Sequence, residues 1–501
     1  MTNDKNIILL FFPLAEIGET FTNIPWALLR LERVVRDLNV SLIFIDERIE
    51  GNYSEIILKN KDNILFAGVS SMIGYQMAGG VKFCQTFRKI CTAPIIWGGW
   101  FPTVYPEIIL AENYADAICI GQGEVPFRAF TERMLSGTPF IDIPGIGYSE
   151  NGKIIINDNN KLINPDLFPP INLDLIDINK LIDLNGKVAL GKRHVDYLAT
   201  TGCTNNCAFC SAANFFGRKW FTHSITEIIN DIKYLVDKTG VSHIESWDEN
   251  IFANKKFIID FCNELNKSGN PVTWSGYAHV GYFLRHFSDA DIKFLYKSGC
   301  REIRLGGESG DQDVLDLINK KIKTTETLQV VKLLKRNNMP VRLCFITCFP
   351  TNPDKDFWKT VNFMGKLKLI YPNIELKIRF FVPIAKTELY NLSVESGFRH
   401  IQTMKELIEF FSKDFMFHYV APWVKKDYYK YLDSFVNFYY LFTDPFYYKK
   451  FNTNKRIQMF IINMVMYPIV YMRFRFNIMK FPIEIKLFKR IVDNCDPYRV
   501  R

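Results

Sequence analysis

Twice along the chain, short apolar runs alternate with amphipathic segments, and this double alternation restricts the fold more than any other feature. In the first 140 residues the runs are NIILLFFP (6–13), SLIFID (41–46), NILFAGVSS (63–71), PIIWGG (94–99) and DAICIG (116–121), with helical patterns such as PWALLRLERVVRDLN between them. Strand followed by helix, repeated, predicts an α/β fold with a doubly wound parallel sheet. Such sheets bind ligands outside the carboxyl ends of their strands. Those ends carry Ser70-Ser71, Gly98-Gly99 and the run Gly121-Gln122-Gly123-Glu124, small residues that let a large flat ligand approach the backbone. A hairpin with its turn at Asn151-Gly152 is expected over 145–157, followed by a proline-bearing linker, NPDLFPPINLDLIDINK.

The second alternation runs from residue 195: VDYLAT, HIESW, VTWSGY, EIRLGG, VRLCFITCF and ELKIRFFVP, separated by helical patterns at 225–238, 254–267, 288–298, 311–319, 325–337 and 354–369. Six βα units are too few for a closed eight-stranded barrel, so a partial (β/α)6 barrel is expected, with its mouth at the strands' carboxyl ends. The resulting division is a Rossmann-like sheet domain (1–140), a hairpin and linker (141–190), the partial barrel (191–400) and an α-helical, aromatic-rich C-terminal cap (401–501), expected to cover the barrel mouth and to select substrate through Trp423, Arg473 and Arg475.

After the first barrel strand comes TTGCTNNCAFC, which sets Cys203, Cys207 and Cys210 on one loop. Structural zinc takes four ligands and disulfides take pairs. Three thiolates suit an iron–sulfur cluster with one iron left open to another ligand. The alternative is zinc with His194 or His223 as a distant fourth ligand. Most of the other cysteines sit singly in apolar runs, as small buried hydrophobes do, which suits a reducing cytosol and a cytoplasmic protein. The N-terminus lacks a basic region and cleavage site.

Charge is uneven. Residues 1–160 hold 13 Lys and Arg against 18 Asp and Glu, whereas residues 401–501 hold 17 against 9, together with 26 of the 74 aromatic residues. A basic aromatic tail reads as a helical subdomain with a solvated lysine face, or as a peripheral contact with a membrane surface or anionic substrate. Its longest uncharged run, Ile457 to Met472, falls short of the roughly 20 residues a spanning helix needs, so no transmembrane segment is expected. No nucleic-acid partner is expected.

The three-cysteine loop, with Phe209 before the third cysteine, resembles that of the radical S-adenosylmethionine (SAM) enzymes. The resemblance extends over about 200 residues through ESWDEN (245–250), TWSGY (273–277), LGGESG (305–310), FITCFPTNPDKDF (345–357) and FFVPIAKTELYNLSVESGF (380–398). It implies that Cys203, Cys207 and Cys210 hold a 4Fe–4S cluster whose open iron is chelated by SAM, and that reduction yields a 5′-deoxyadenosyl radical. It also implies SAM contacts from Phe209, Asp248, Glu249, Ser275, Glu308 and Lys320. A one-electron donor such as flavodoxin or ferredoxin would serve as partner. Cys348 and Lys386 stand where the family usually has glycine, which puts two loop conformations in question.

WGGWFPTVYPE (97–107) and ADAICIGQGEVPF (115–127) resemble segments of the cobalamin-binding domain that precedes many radical SAM barrels. By that resemblance Ser70, Ser71, Gly98, Gly99, Gly121, Gly123 and Glu124 would line cobalamin. Residues 1–193 contain no histidine, so none from this sheet can ligate the cobalt from below. The implied function is methyl transfer to an unactivated carbon of a small or hydrophobic molecule, such as a lipid or natural-product precursor. The alternatives are radical cyclisation or rearrangement with the same cofactors, a barrel braced by a degenerate sheet that binds no cobalamin, and a non-catalytic sensor. Cys84, Cys91 and Cys119 are read as core residues rather than ligands of a second cluster, none of them standing at a strand's carboxyl end.

Overall fold

The computed structural model describes residues 6–14, 23–74, 76–157, 161–183, 188–269, 272–412, 421–425, 453–476, 478 and 483–484. The first alternation forms one sheet: β1 (Ile7–Phe12), β2 (Ser41–Asp46), β3 (Ile64–Ser70), β4 (Ile95–Gly98) and β5 (Ala117–Cys119), all parallel, in the order β2-β1-β3-β4-β5. Both faces are buried, as parallel sheets require. Leu9, Phe11, Ala67 and Val69 pack on one side, while Ile8, Leu10 and Phe66 pack on the other.

The hairpin forms where expected, as β6 (Ile146–Glu150) and β7 (Lys153–Ile156), with positive φ at Asn151 and Gly152. β6 pairs antiparallel with Cys119 and its neighbours, so the first sheet has seven strands and reaches beyond residue 140.

Cys119 is the last residue of its strand rather than an interior one. Even so it cannot join Cys84 and Cys91, because it lies in the cluster on one face of the sheet and they lie on the other. Burial pushes the Cys119 thiol up to about 12, as befits a core residue.

The second sheet contains β8 (Val188–Ala189), β9 (Lys192–Tyr197), β12 (His243–Ser246), β13 (Thr273–Ala278), β14 (Cys300–Glu308), β15 (Val341–Thr347) and β16 (Glu375–Phe380), in the order β16-β15-β14-β13-β12-β9-β8. The six long strands are parallel; β8 runs antiparallel to β9. The first expected strand is split: it ends at Tyr197, and Thr200–Gly202 forms a separate strand, β10, antiparallel to β11 (Trp220–Thr222). Alternate residues, such as Val195, Ile244, Trp274, Ile303 and Leu343, pack under the helices. Residues of the opposite alternation form a charge ladder, buried at Glu302 and Arg304 and open to solvent at Glu375, in which Glu245 contacts His194 and Arg304, Glu302 bridges Arg304 and Arg342, and Arg342 reaches Glu375.

Several contacts dock the two sheets. Asp196 on β9 accepts from the Ile24 amide (3.1 Å) and from the Trp26 indole (3.0 Å), and Trp100 stacks on Phe215 at 4.5 Å. Much of the region 401–501 lies outside the described residues. Of its described parts, the helix Met404–Ser412 packs into the core of the first sheet, and the helix Thr453–Phe476 packs through Ile462, Met466, Val470 and Phe474 into the barrel's helix-side core. Neither forms the cap expected over the barrel mouth. Among the expected substrate-selecting residues, Trp423 does reach the end of β15, donating to the Cys348 carbonyl at 2.9 Å. Arg473 instead bridges to Glu484, and Arg475 is exposed.

Candidate active site

The cysteine loop is held at both ends. Where it leaves β10, Gly202 has φ +94°, and a Cβ there would come within 2.2 Å of the Lys219 carbonyl, so only glycine lets β10 pair with β11 so closely. The Gly202 amide donates to Glu249 at 3.2 Å, and Asp248 accepts from both the amide and the hydroxyl of Thr200. The acidic pair after β12 thus fixes the strand that presents the loop. Burial raises both carboxyls, that of Glu249 to about 7.

Farther along, the Ala208 amide donates to the Ile318 carbonyl at 2.9 Å, and its carbonyl accepts from Leu389 at 3.1 Å. Asn319 donates to the Asn206 carbonyl at 2.8 Å. Segments following β14 and β16 therefore clasp the loop from two sides. Phe209 meets Phe349 edge-on at 6.3 Å, and Phe349 stacks on Phe381 at 4.9 Å.

Cys203, Cys207 and Cys210 are free and partly exposed. Burial pushes the Cys207 thiol up to about 11, with Lys320 opposing the rise and Glu308, Cys210 and Cys203 adding to it. These five side chains therefore share one electrostatic neighbourhood. Lys320 donates to Glu308 at 2.6 Å inside it. Burial disfavours the Lys320 cation, but Glu308 and Cys207 outweigh that and raise its pKa. A buried cation beside three thiols suits thiolate ligands.

Among the described residues no three His, Cys, Asp or Glu side chains form a group that could hold a single metal ion. An iron–sulfur cube does not require one, since each cysteine binds a different iron. The zinc alternative finds no fourth ligand, because neither His194 nor His223 joins the cysteines in such a group among the described residues.

Ser275 is completely buried within β13, 3.2 Å from His243, and so sits inside the barrel rather than at its mouth. On the first sheet, Ser70, Ser71, Gly98 and Gly99 come together: the Ser71 amide donates to the Gly98 carbonyl at 3.1 Å, and the Trp97 indole donates to the Ser71 hydroxyl at 2.7 Å. Gly99 has φ +101°, and a Cβ there would lie 2.6 Å from the Ser71 carbonyl. Gly121 joins them through Thr103, whose hydroxyl accepts from the Gly121 amide and donates to the Gly99 carbonyl. Gly123 precedes the helix Glu124–Ser136, and Glu124 is consumed in a buried ion pair with Arg33 at 2.7 Å.

Three residues escaped the sequence reading. Thr103 clamps the two glycine loops, Lys386 reaches from the barrel to the Thr103 carbonyl at 3.0 Å, and Arg30 places buried Nε and Nη2 atoms with no hydrogen-bond partner near Glu249. Only Lys386 gave a signal, as a departure from the expected glycine.

Comparison with known proteins agrees with this geometry. The radical SAM superfamily matches residues 197–364. The uncharacterized methyltransferase PH0819 of Pyrococcus horikoshii is 27% identical over 305 residues, 60% of this chain and 63% of that protein. The anaerobic magnesium-protoporphyrin IX monomethyl ester cyclase of Synechocystis sp. is 25% identical over 303 residues, 60% of this chain and 58% of the cyclase. The chain thus spans less than two thirds of either relative. The radical SAM methyltransferase TsrM of Kitasatospora setae, solved with cobalamin and a 4Fe–4S cluster bound, has the same fold: TM-score 0.65, 13% identity, 79% of each chain.

Proposed function

We propose that this chain, which carries a radical SAM domain at residues 197–364, is a cobalamin-dependent radical SAM methyltransferase acting on an unactivated carbon of a small or hydrophobic molecule. The observation that carries the reading is the meeting of three coupled thiols with the buried Lys320–Glu308 pair, on a barrel docked against a second sheet with glycine-lined strand ends. When bound, the cluster and SAM supply a carbon-centred radical and cobalamin supplies a methyl carrier, chemistry that belongs to the cofactors.

The chain's own residues position and shield. Cys203, Cys207 and Cys210 are the cluster ligands. Lys320 provides positive charge at the thiols and for the SAM carboxylate, and Glu308 keeps that cation in place. Glu249 would accept a hydrogen bond from the SAM amino group, and Arg30, whose buried Nε and Nη2 lack a partner, would offer a donor toward bound ligand. Phe209, Phe349 and Phe381 exclude water along one side. Gly98, Gly99 and Gly121 leave the backbone open to cobalamin, and Thr103 holds their loops together. A one-electron donor of flavodoxin or ferredoxin type completes the system.

The test is anaerobic purification with iron, sulfide and cobalamin quantified, followed by assay for 5′-deoxyadenosine and S-adenosylhomocysteine. Both products support methyl transfer; absence of cobalamin after reconstitution overturns it. Similarity to the cyclase favours a second reading, radical cyclisation with the same cofactors. Product mass separates the two: one added methylene against loss of hydrogens.

A further inference from the structure

The helix Thr453–Phe476 is apolar on nearly every side, and such a helix is stable only where every side is covered. The barrel covers one stripe, burying Ile462, Met466, Val470 and Phe474. On the opposite face Ile457, Ile461, Met464, Val465, Met472 and Phe476 are 50–69% exposed. From Ile457 to Phe476 the band is about 29 Å long at helical rise, a larger apolar surface than a soluble protein ordinarily leaves to water.

Charge indicates what covers it. The helix contains Lys455, Arg456, Arg473 and Arg475 and no acidic residue; Arg473 is taken up by Glu484, and Arg456 and Arg475 are exposed near its two ends. The basic residues stand at both ends of the apolar band. A second copy laid on this face would bring cations against cations, in either orientation. A bilayer with anionic headgroups matches both features. No helix among the described residues is long and apolar enough to cross a membrane, and this one is already docked on the barrel along one side.

We infer that the helix Thr453–Phe476 lies in the plane of an anionic lipid surface, with its exposed apolar band at the acyl boundary and its basic ends among the headgroups. The full chain should cosediment with phosphatidylcholine vesicles containing phosphatidylserine, more weakly with phosphatidylcholine alone, and less at high salt. The double variant Ile461→Glu/Val465→Glu should lose about tenfold or more in vesicle affinity. Its circular dichroism and thermal transition should match the parent, because both positions are exposed. Three outcomes overturn the inference: no binding to any vesicle, equal binding by the double variant, or concentration-dependent self-association that the double variant abolishes in the absence of lipid.

Discussion

Lys320 donates to the Glu308 carboxylate at 2.6 Å, and both side chains are buried beside the cysteine loop although twelve residues separate them in the chain. The pair lies at the end of β14 and beyond the helix Gln312–Leu317, so a short βα crossover returns the lysine to the strand it left. Glu308 takes positive φ (+57°) to face it.

Breaking that pair from one side strands a buried carboxylate. Lys320→Met should cost about 3–5 kcal/mol in denaturant unfolding, and Cys207 should react with alkylating reagents only at higher pH than in the parent. Lys320→Met/Glu308→Gln should recover most of the stability and part of the thiol reactivity, because the Glu308 charge that raises Cys207 is also gone. A single variant as stable as the parent contradicts the burial described.

Changing Cys203, Cys207 or Cys210 to Ala removes a partly exposed thiol from a loop fixed by backbone hydrogen bonds. Unfolding of the cluster-free protein should move by less than about 1 kcal/mol. Bound iron and sulfide should fall, and 5′-deoxyadenosine should no longer form. Undiminished iron content in all three variants would remove these residues from the cluster.

Gly99→Val sets a branched side chain against the Ser71 carbonyl at a left-handed backbone position. Cobalamin uptake, read from its visible absorbance after reconstitution, should drop sharply while iron content stays at the parent level. Equal loss of both cofactors would mean that the substitution unfolds the sheet rather than closing a ligand surface.

Burial pushes Glu245 up, but His194 and Arg304 outweigh it and hold the carboxyl at about 2, below its ordinary value near 4.5. The folded state therefore gains stability from this group above about pH 4.5 and loses it as pH falls toward 2, a contribution of about 3 kcal/mol at most. Glu245→Gln should be less stable at neutral pH, and its stability should vary less across that acid window. Chemical denaturation at several pH values checks both.

The sheets were readable because strand and helix periodicities are local properties of the chain. NIILLFFP and its fellow runs lie where β1 to β5 form, and the six barrel runs mark its six parallel strands. Local patterns did not reveal that the first barrel run breaks after Tyr197. The break depends on Asp248, 48 residues from Thr200, capturing the Thr200 amide and hydroxyl. Nor could a pattern show Glu124 engaged by Arg33, since that pairing needs two helices brought side by side.

By itself the sequence determined the fold class and the gathering of three thiols on one loop, because hydrophobic period and cysteine spacing are written within single segments. Tertiary structure alone decided where charges end up: Lys320 with Glu308 by the thiols, Arg30 with buried Nε and Nη2 atoms unpartnered near Glu249, and Lys386 reaching across to Thr103. It also decided that the helix Thr453–Phe476 buries one stripe on the barrel and leaves an apolar band exposed, instead of closing over the mouth. Burial and ion pairing depend on what lies opposite a side chain, and for these residues the opposing surface comes from distant parts of the chain.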